Sequence, residues 1–214
     1  RLVKFPVGSD NKIEQPYNSI DDLPFITEIL CGRASLELVL ECIDTMENKD
    51  IMLKVQGPFS LLLSAVGSNQ LFKWLRKYEH EVLEALEKIN NSIISYIIDA
   101  INAGAKIISY AEPSAMPDVM GEWLYRKFAA DFTMKLLKKL ETYLCGSIVH
   151  LCPRTSVLLE KYGYLTAKAY FFDIENYAET LLSIAQYNEI KYIGHRCINA
   201  EYAKNNHIYK LSLA

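Results

Sequence analysis

Apolar residues fall into two kinds of run along this chain: short blocks that are apolar almost throughout, and longer stretches where they recur every three or four positions. The first kind comprises "IMLKVQGP" (51–58), "AKIISYAEP" (105–113), "SIVHLCP" (147–153), "AKAYFFD" (167–173), "IKYIGHRC" (190–197) and "HIYKLSL" (207–213). Rich in β-branched and aromatic residues, most of these blocks end at or near Gly, Pro or a polar residue, and they predict six strands. The second kind predicts helices at about 34–47, 69–102, 122–143, 156–163 and 176–187. In the longest, Leu71, Trp74, Leu75, Tyr78, Val82, Leu83 and Leu86 share helical spacing, and Asn102 and Gly104 supply the stop. Residues 1–24, rich in Pro, Asn, Asp and Gly, predict a loop leading to a helix start marked by Ser19, Asp21 and Asp22.

Strands apolar on both faces and separated by helices require a mostly parallel sheet covered on both sides. The expected class is therefore α/β, as one domain over 1–214 and a (β/α)8 barrel of the TIM type. Six strands fall short of eight, so an incomplete barrel or a doubly wound open sheet are both compatible with the pattern, and a chain opening on Arg1 is expected to lack an N-terminal segment. The barrel gains weight from the chemistry-bearing residues. Gln56, Glu112, His150, Cys152, Asp173, His195 and Cys197 all fall at C-terminal strand ends, which converge on one mouth in a barrel. In an open sheet only those near the switch point would meet.

Composition narrows the function classes. Half of the 214 residues are hydrophobic, and the net charge of −3 comes from mixed signs, with no basic stripe to neutralise phosphates; nucleic acid is not an expected partner. No apolar run reaches the roughly 18 residues of a membrane span, and no leader opens the chain, so the expected location is cytoplasmic, with no membrane partner. Five irregularly spaced cysteines read as reduced thiols, some of them available as ligands.

The pair His150 and Cys152 closes a strand. Residues two apart on a strand point the same way, so both side chains reach one ion if the strand ends at the mouth, and imidazole with thiolate suits Zn²⁺. A packed histidine beside a buried free thiol explains the spacing equally well. Cys197, ending a later strand, is the candidate third ligand, which would leave an open position as in catalytic zinc sites. Cys31, Cys42 and Cys145 belong to apolar helical stretches and read as core thiols.

"VQGPFSLLLSAVG", "GAKIISYAEPSAMPDVMGEWLYRKF" and "SIVHLCPRTSVLLEKYG", in that order, resemble consecutive segments of the uroporphyrinogen decarboxylase superfamily, over roughly residues 17–175. The His-x-Cys strand end is similar to that of the superfamily's zinc-dependent, corrinoid-dependent methyltransferases. The resemblance implies a zinc held by His150 and Cys152, with Cys197 matching the third ligand in kind only. It further implies a small thiol substrate activated on that zinc and a methyl group carried by methylcobalamin, free or on a corrinoid protein. A cofactor-free decarboxylase of uroporphyrinogen type and a non-catalytic corrinoid- or metal-binding barrel are the alternatives.

Other residues carry paired readings. Glu112 is the candidate catalytic group, as a base near the thiol or a displaceable fourth ligand, and equally a helix cap. Asp173 leans toward capping, and His195 toward the surface, with orientation of a ligand as its alternative. Tyr110 and Tyr170 read as packing or as contacts to a corrin ring. Arg154 reads as solvated or as a holder of an anionic substrate tail, and His80 and His207 carry no assigned role.

Overall fold

The computed structural model describes residues 3–6, 17, 19–32, 34–46, 50–171, 176–186, 189–198 and 207–214. Its seven strands are β1 (Val3–Pro6), β2 (Ile51–Gln56), β3 (Ala105–Ala111), β4 (Ile148–Leu151), β5 (Leu165–Phe171), β6 (Tyr192–Gly194) and β7 (His207–Leu213). They form one sheet in the order β1-β2-β3-β4-β6-β7-β5. From β1 to β6 every pairing is parallel, whereas β7 runs antiparallel to both β6 and β5. The class is thus α/β with a parallel-rich sheet, and the sheet is open among the described residues.

The helices are α1 (Leu23–Leu30), α2 (Ala34–Thr45), α3 (Pro58–Val66), α4 (Ser68–Lys77), α5 (Glu79–Asn102), α6 (Pro117–Met120), α7 (Glu122–Tyr125), α8 (Asp131–Leu140), α9 (Pro153–Lys161) and α10 (Tyr177–Ala185), with a π turn at Arg126–Ala130. Ser19 and Asp22 form a reciprocal capping box on the 3₁₀ turn Ile20–Asp22, as the Ser-x-x-Asp spacing predicts. The long helical pattern at 69–102 divides at Tyr78, which leaves helical geometry with φ −136° and ψ 48°. No described helix is long and apolar enough to cross a membrane.

Strand alternation sorts the core into two layers. Leu53, Val55, Ile108, Tyr110, Val149, Leu151 and Tyr192 belong to the larger layer, packed with α1, α3, α4, α5, α8 and α9. Met52, Ile107, Ile148, Ile193 and Ile208 form a smaller layer with Tyr177, Leu181, Ile184 and Ala185 of α10. The expected barrel order is modified at one place: β6, not β5, lies beside β4, because β5 pairs with β7 at the sheet edge.

Candidate functional site

The register of the parallel strands sets Lys54, Ser109, His150 and Ile193 in one row. Alternation places that row on the α10 face, above Met52, Ile107 and Ile148. Cys152 follows His150 by two positions, one residue past the end of β4. It is the N-cap residue of α9, half-buried, with its N–H donated to the Tyr110 carbonyl at 2.9 Å and its own carbonyl accepting from Ser156 N–H.

His150 is 1 % exposed. Its Nε2 lies 2.9 Å from the carbonyl oxygen of Arg196, an acceptor only, so Nε2 carries the proton and Nδ1 presents a lone pair. Nδ1 has no hydrogen-bond partner. Burial pulls the imidazole pKa down to about 4, against the raising influence of the Arg196 carbonyl and of the residue's own backbone, so the ring is neutral at neutral pH. The ring meets Tyr177 edge-on at 5.9 Å, and the Arg196 guanidinium lies 4.8 Å from the centre of that tyrosine ring. The Tyr177 hydroxyl is also buried without a partner. Of the four such side-chain atoms among the described residues, two therefore belong to rings in contact.

A neutral, deeply buried imidazole pinned through one nitrogen and open at the other fits a metal ligand oriented by a backbone carbonyl. Cys152, two positions on, adds a thiol. The expected third member is placed differently. β6 ends at Gly194, the chain turns at His195, and Cys197 is exposed. No group of three or more His, Cys, Asp or Glu residues is gathered for a metal among the described residues. The strand-end position expected for Cys197 assumed three more residues of strand than β6 has.

Glu112 follows β3 with the parity of Tyr110, which turns it toward the helices of the larger layer and away from the His150 face. Its carboxylate accepts from the N–H groups of Phe59 (3.2 Å) and Ser60 (3.0 Å) at the start of α3, and from the Ser60 hydroxyl (2.6 Å). These are orphan donors of a helix N-terminus, where negative charge is favoured. Its own N–H donates to Thr155 Oγ1, and Ser114 N–H donates to Ser60 Oγ, which ties together the start of α3, the loop after β3 and the start of α9. The expected position beside the metal pair is thus replaced by a joint between strand ends.

Burial raises the Glu112 pKa from 4.5 to about 7, outweighing the three bonds that lower it. A carboxyl raised on folding stabilises the fold fully below its unfolded value, and that contribution is lost as pH rises through the folded one. Stability is expected to fall by roughly 3 kcal/mol from pH 4.5 to above pH 7 relative to Glu112→Gln, which does not ionise. Urea denaturation of both proteins across that window measures it; parallel profiles would contradict it.

The other strand-end candidates scatter. Gln56 shares the His150 face by parity, Asp173 lies outside the described residues, and Arg154 is exposed. Tyr110 is buried with its hydroxyl 3.1 Å from Thr133 Oγ1, Tyr170 is half-buried on the edge strand β5, His80 pairs with Glu84, and His207 packs on Phe171. Sequence reasoning missed Tyr177, Arg196, Ser60 and Gly57. Only Gly57 carried a local signal, the Gly-Pro stop after β2.

Among curated proteins, the methylcobamide:CoM methyltransferase MtaA of Methanosarcina barkeri is 25% identical over 149 residues, 67% of this chain and 43% of that protein. The methylcobamide:CoM methyltransferase MtbA of Methanosarcina acetivorans is 22% identical over 149 residues, 67% of this chain and 44% of that one. The chain thus spans less than half the length of these relatives. Among solved structures, a methyltransferase from Methanosarcina mazei covers 62% of this chain and 40% of its own, with TM-score 0.49 and 24% identity. The family model for uroporphyrinogen decarboxylase (URO-D) matches residues 2–195, and the chain belongs to that family.

Proposed function

We propose that this chain carries the zinc half-site of a methyltransferase that moves a methyl group between a corrinoid and a small thiol. The observation that carries the reading is His150: neutral, buried, with Nε2 committed to a backbone carbonyl and Nδ1 without a partner. Cys152, two positions on from His150, is the second ligand, and Cys197 is proposed as the third, brought in by a change of the chain after Arg196 that leaves the Arg196 carbonyl on His150. The methylcobamide:CoM methyltransferases among the relatives support the choice of corrinoid and thiol. Bound zinc would supply a Lewis acid that favours the thiolate form of a substrate thiol near neutral pH.

The chain's own residues supply orientation and exclusion of water. The Arg196 carbonyl holds the His150 proton on Nε2, and Tyr177 covers the ring and keeps solvent from its edge. Glu112 acts through the scaffold, fixing the α3 N-terminus against the loop after β3. The partner is a corrinoid, free or protein-borne, whose methyl group is exchanged with the thiol sulfur.

The test is turnover of the zinc-loaded protein with methylcobalamin and 2-mercaptoethanesulfonate, followed by cobalamin absorbance and by the methyl thioether formed. Zinc-dependent and thiol-dependent demethylation is the expected result. No methyl exchange in either direction by a zinc-replete protein would contradict the reading.

A further inference from the structure

We infer that His195 is a positioning residue: a latch, closed on α9, that holds the Arg196 carbonyl against His150 and so sets which imidazole nitrogen is open. The inference rests on the metal reading for the purpose of the latch, and its geometry stands apart from that reading. His195 is the non-glycine residue with positive φ among the described residues, at 63°. Single residues in that region persist only where their surroundings over-determine them, and they cluster at functional sites.

Here the surroundings are explicit. His195 N–H donates to Ser156 Oγ at 2.8 Å, and its Nδ1 lies 3.1 Å from the same oxygen. Its Nε2 lies 2.6 Å from Glu160 Oε2, and its ring stacks on Tyr209 at 5.4 Å. Ser156 and Glu160 are four apart on α9 and therefore share a face of that helix. The Cβ that Gly194 lacks would press on Ser156 and Leu211, so the backbone enters the turn in close contact with α9.

Ser156, His195 and Glu160 have the composition of a hydrolytic triad, but not its access. Ser156 is wholly buried, and its Oγ is engaged by His195 N–H and lies 3.2 Å from the Cys152 and Pro153 carbonyls. No substrate carbonyl reaches it.

What the cluster does is close a ring of contacts. From His150 the chain runs through Cys152 into α9, α9 grips His195 through Ser156 and Glu160, and the next residue returns its carbonyl to His150 Nε2. Cys152, at the start of α9, and the carbonyl that orients His150 are thereby tied to the same helix. Ligand-orienting groups of this kind are worth about 10–100-fold in metal affinity.

Two variants test it. His195→Gly removes the ring while tolerating the positive φ, and Glu160→Ala removes the ring's acceptor at a side chain 41% exposed, together with the bond that Glu160 accepts from Ala167 N–H. In the metal-free protein, long-range ¹H–¹⁵N NMR reads the His150 tautomer. The wild-type ring is expected to be the Nε2–H form, and both variants are expected to give a mixture, with zinc binding about 10–100-fold weaker. The wild-type tautomer retained in both variants overturns the inference, as does unchanged zinc affinity beside an altered tautomer. If His195→Gly fails to fold, Glu160→Ala decides. A wild-type chain that takes up no zinc removes the metal reading, and the tautomer readout then upholds or overturns the latch by itself.

Discussion

Cys152→Ser should bind zinc at least about a thousandfold more weakly than the wild-type chain, and zinc-dependent demethylation of methylcobalamin should disappear with it. A serine hydroxyl stays protonated at neutral pH and is a poor ligand for zinc, whereas thiolate is a strong one. Changes that only disturb a ligand's orientation already cost about 10–100-fold, so loss of a ligand must exceed that. The fold should survive, because the core extends over both sheet faces and does not hang on one metal as a small zinc domain does. Isothermal titration with zinc, beside circular dichroism on the same sample, separates the two effects. Wild-type affinity in a folded Cys152→Ser would return the residue to the ordinary thiols.

Gly57→Ala is expected to cost upward of about 4 kcal/mol in stability, beyond what a typical single substitution removes. A Cβ at this position would overlap Glu112 Oε1 and Tyr110 Oη. Both groups are buried and held, one by the start of α3 and the other beside Thr133. To make room, the Glu112 carboxylate must leave the α3 N-terminus, stranding the Phe59 and Ser60 N–H groups and the Ser60 hydroxyl in an apolar surrounding, where each unmet donor costs about 1–3 kcal/mol. Chemical denaturation measures the loss. A second variant, Gly57→Ala with Glu112→Ala, relieves the overlap with Glu112 and leaves the one with Tyr110 Oη, so non-additive costs are expected. Additive costs would show that the contact is not what makes glycine necessary.

The parts of the fold visible in the sequence are those whose side-chain pattern is set locally. β2, β3, β4 and β7 occupy the apolar blocks, and the parallel sheet follows from strands buried on both faces. β1 was hidden by its brevity and by the Pro-rich and Asn-rich segment around it. α3 was hidden because "PFSLLLSAV" is apolar nearly all round and has no polar face to mark its period. The block 167–173 predicts one more parallel strand, yet the exposed Thr166, Lys168 and Ala169 of β5 mark an edge strand. Its antiparallel pairing with β7 depends on the return of the chain after β6, which no local pattern encodes. URO-D family membership implies the barrel fold, and the parallel run β1-β2-β3-β4 in chain order has that arrangement of neighbours.

The site divides the same way. The spacing of two between His150 and Cys152 at the end of a buried strand is legible because the period of a strand is two. Glu112 illustrates the limit: its place at a strand end was read correctly, but parity sends it to the helix side, where the donors of α3 meet it. Cys197 depended on how long β6 runs, and Tyr177 and Arg196 matter through contacts between elements distant in sequence.

The claim on which the functional reading stands is that His150 and Cys152 share one zinc ion. Crystals of the zinc-loaded protein, measured on either side of the zinc absorption edge, test it most directly. An anomalous peak bonded to both His150 Nδ1 and Cys152 Sγ is expected, with Nε2 still on the Arg196 carbonyl. A peak bonded elsewhere, or side chains of His150 and Cys152 directed to opposite faces of the sheet, would contradict it.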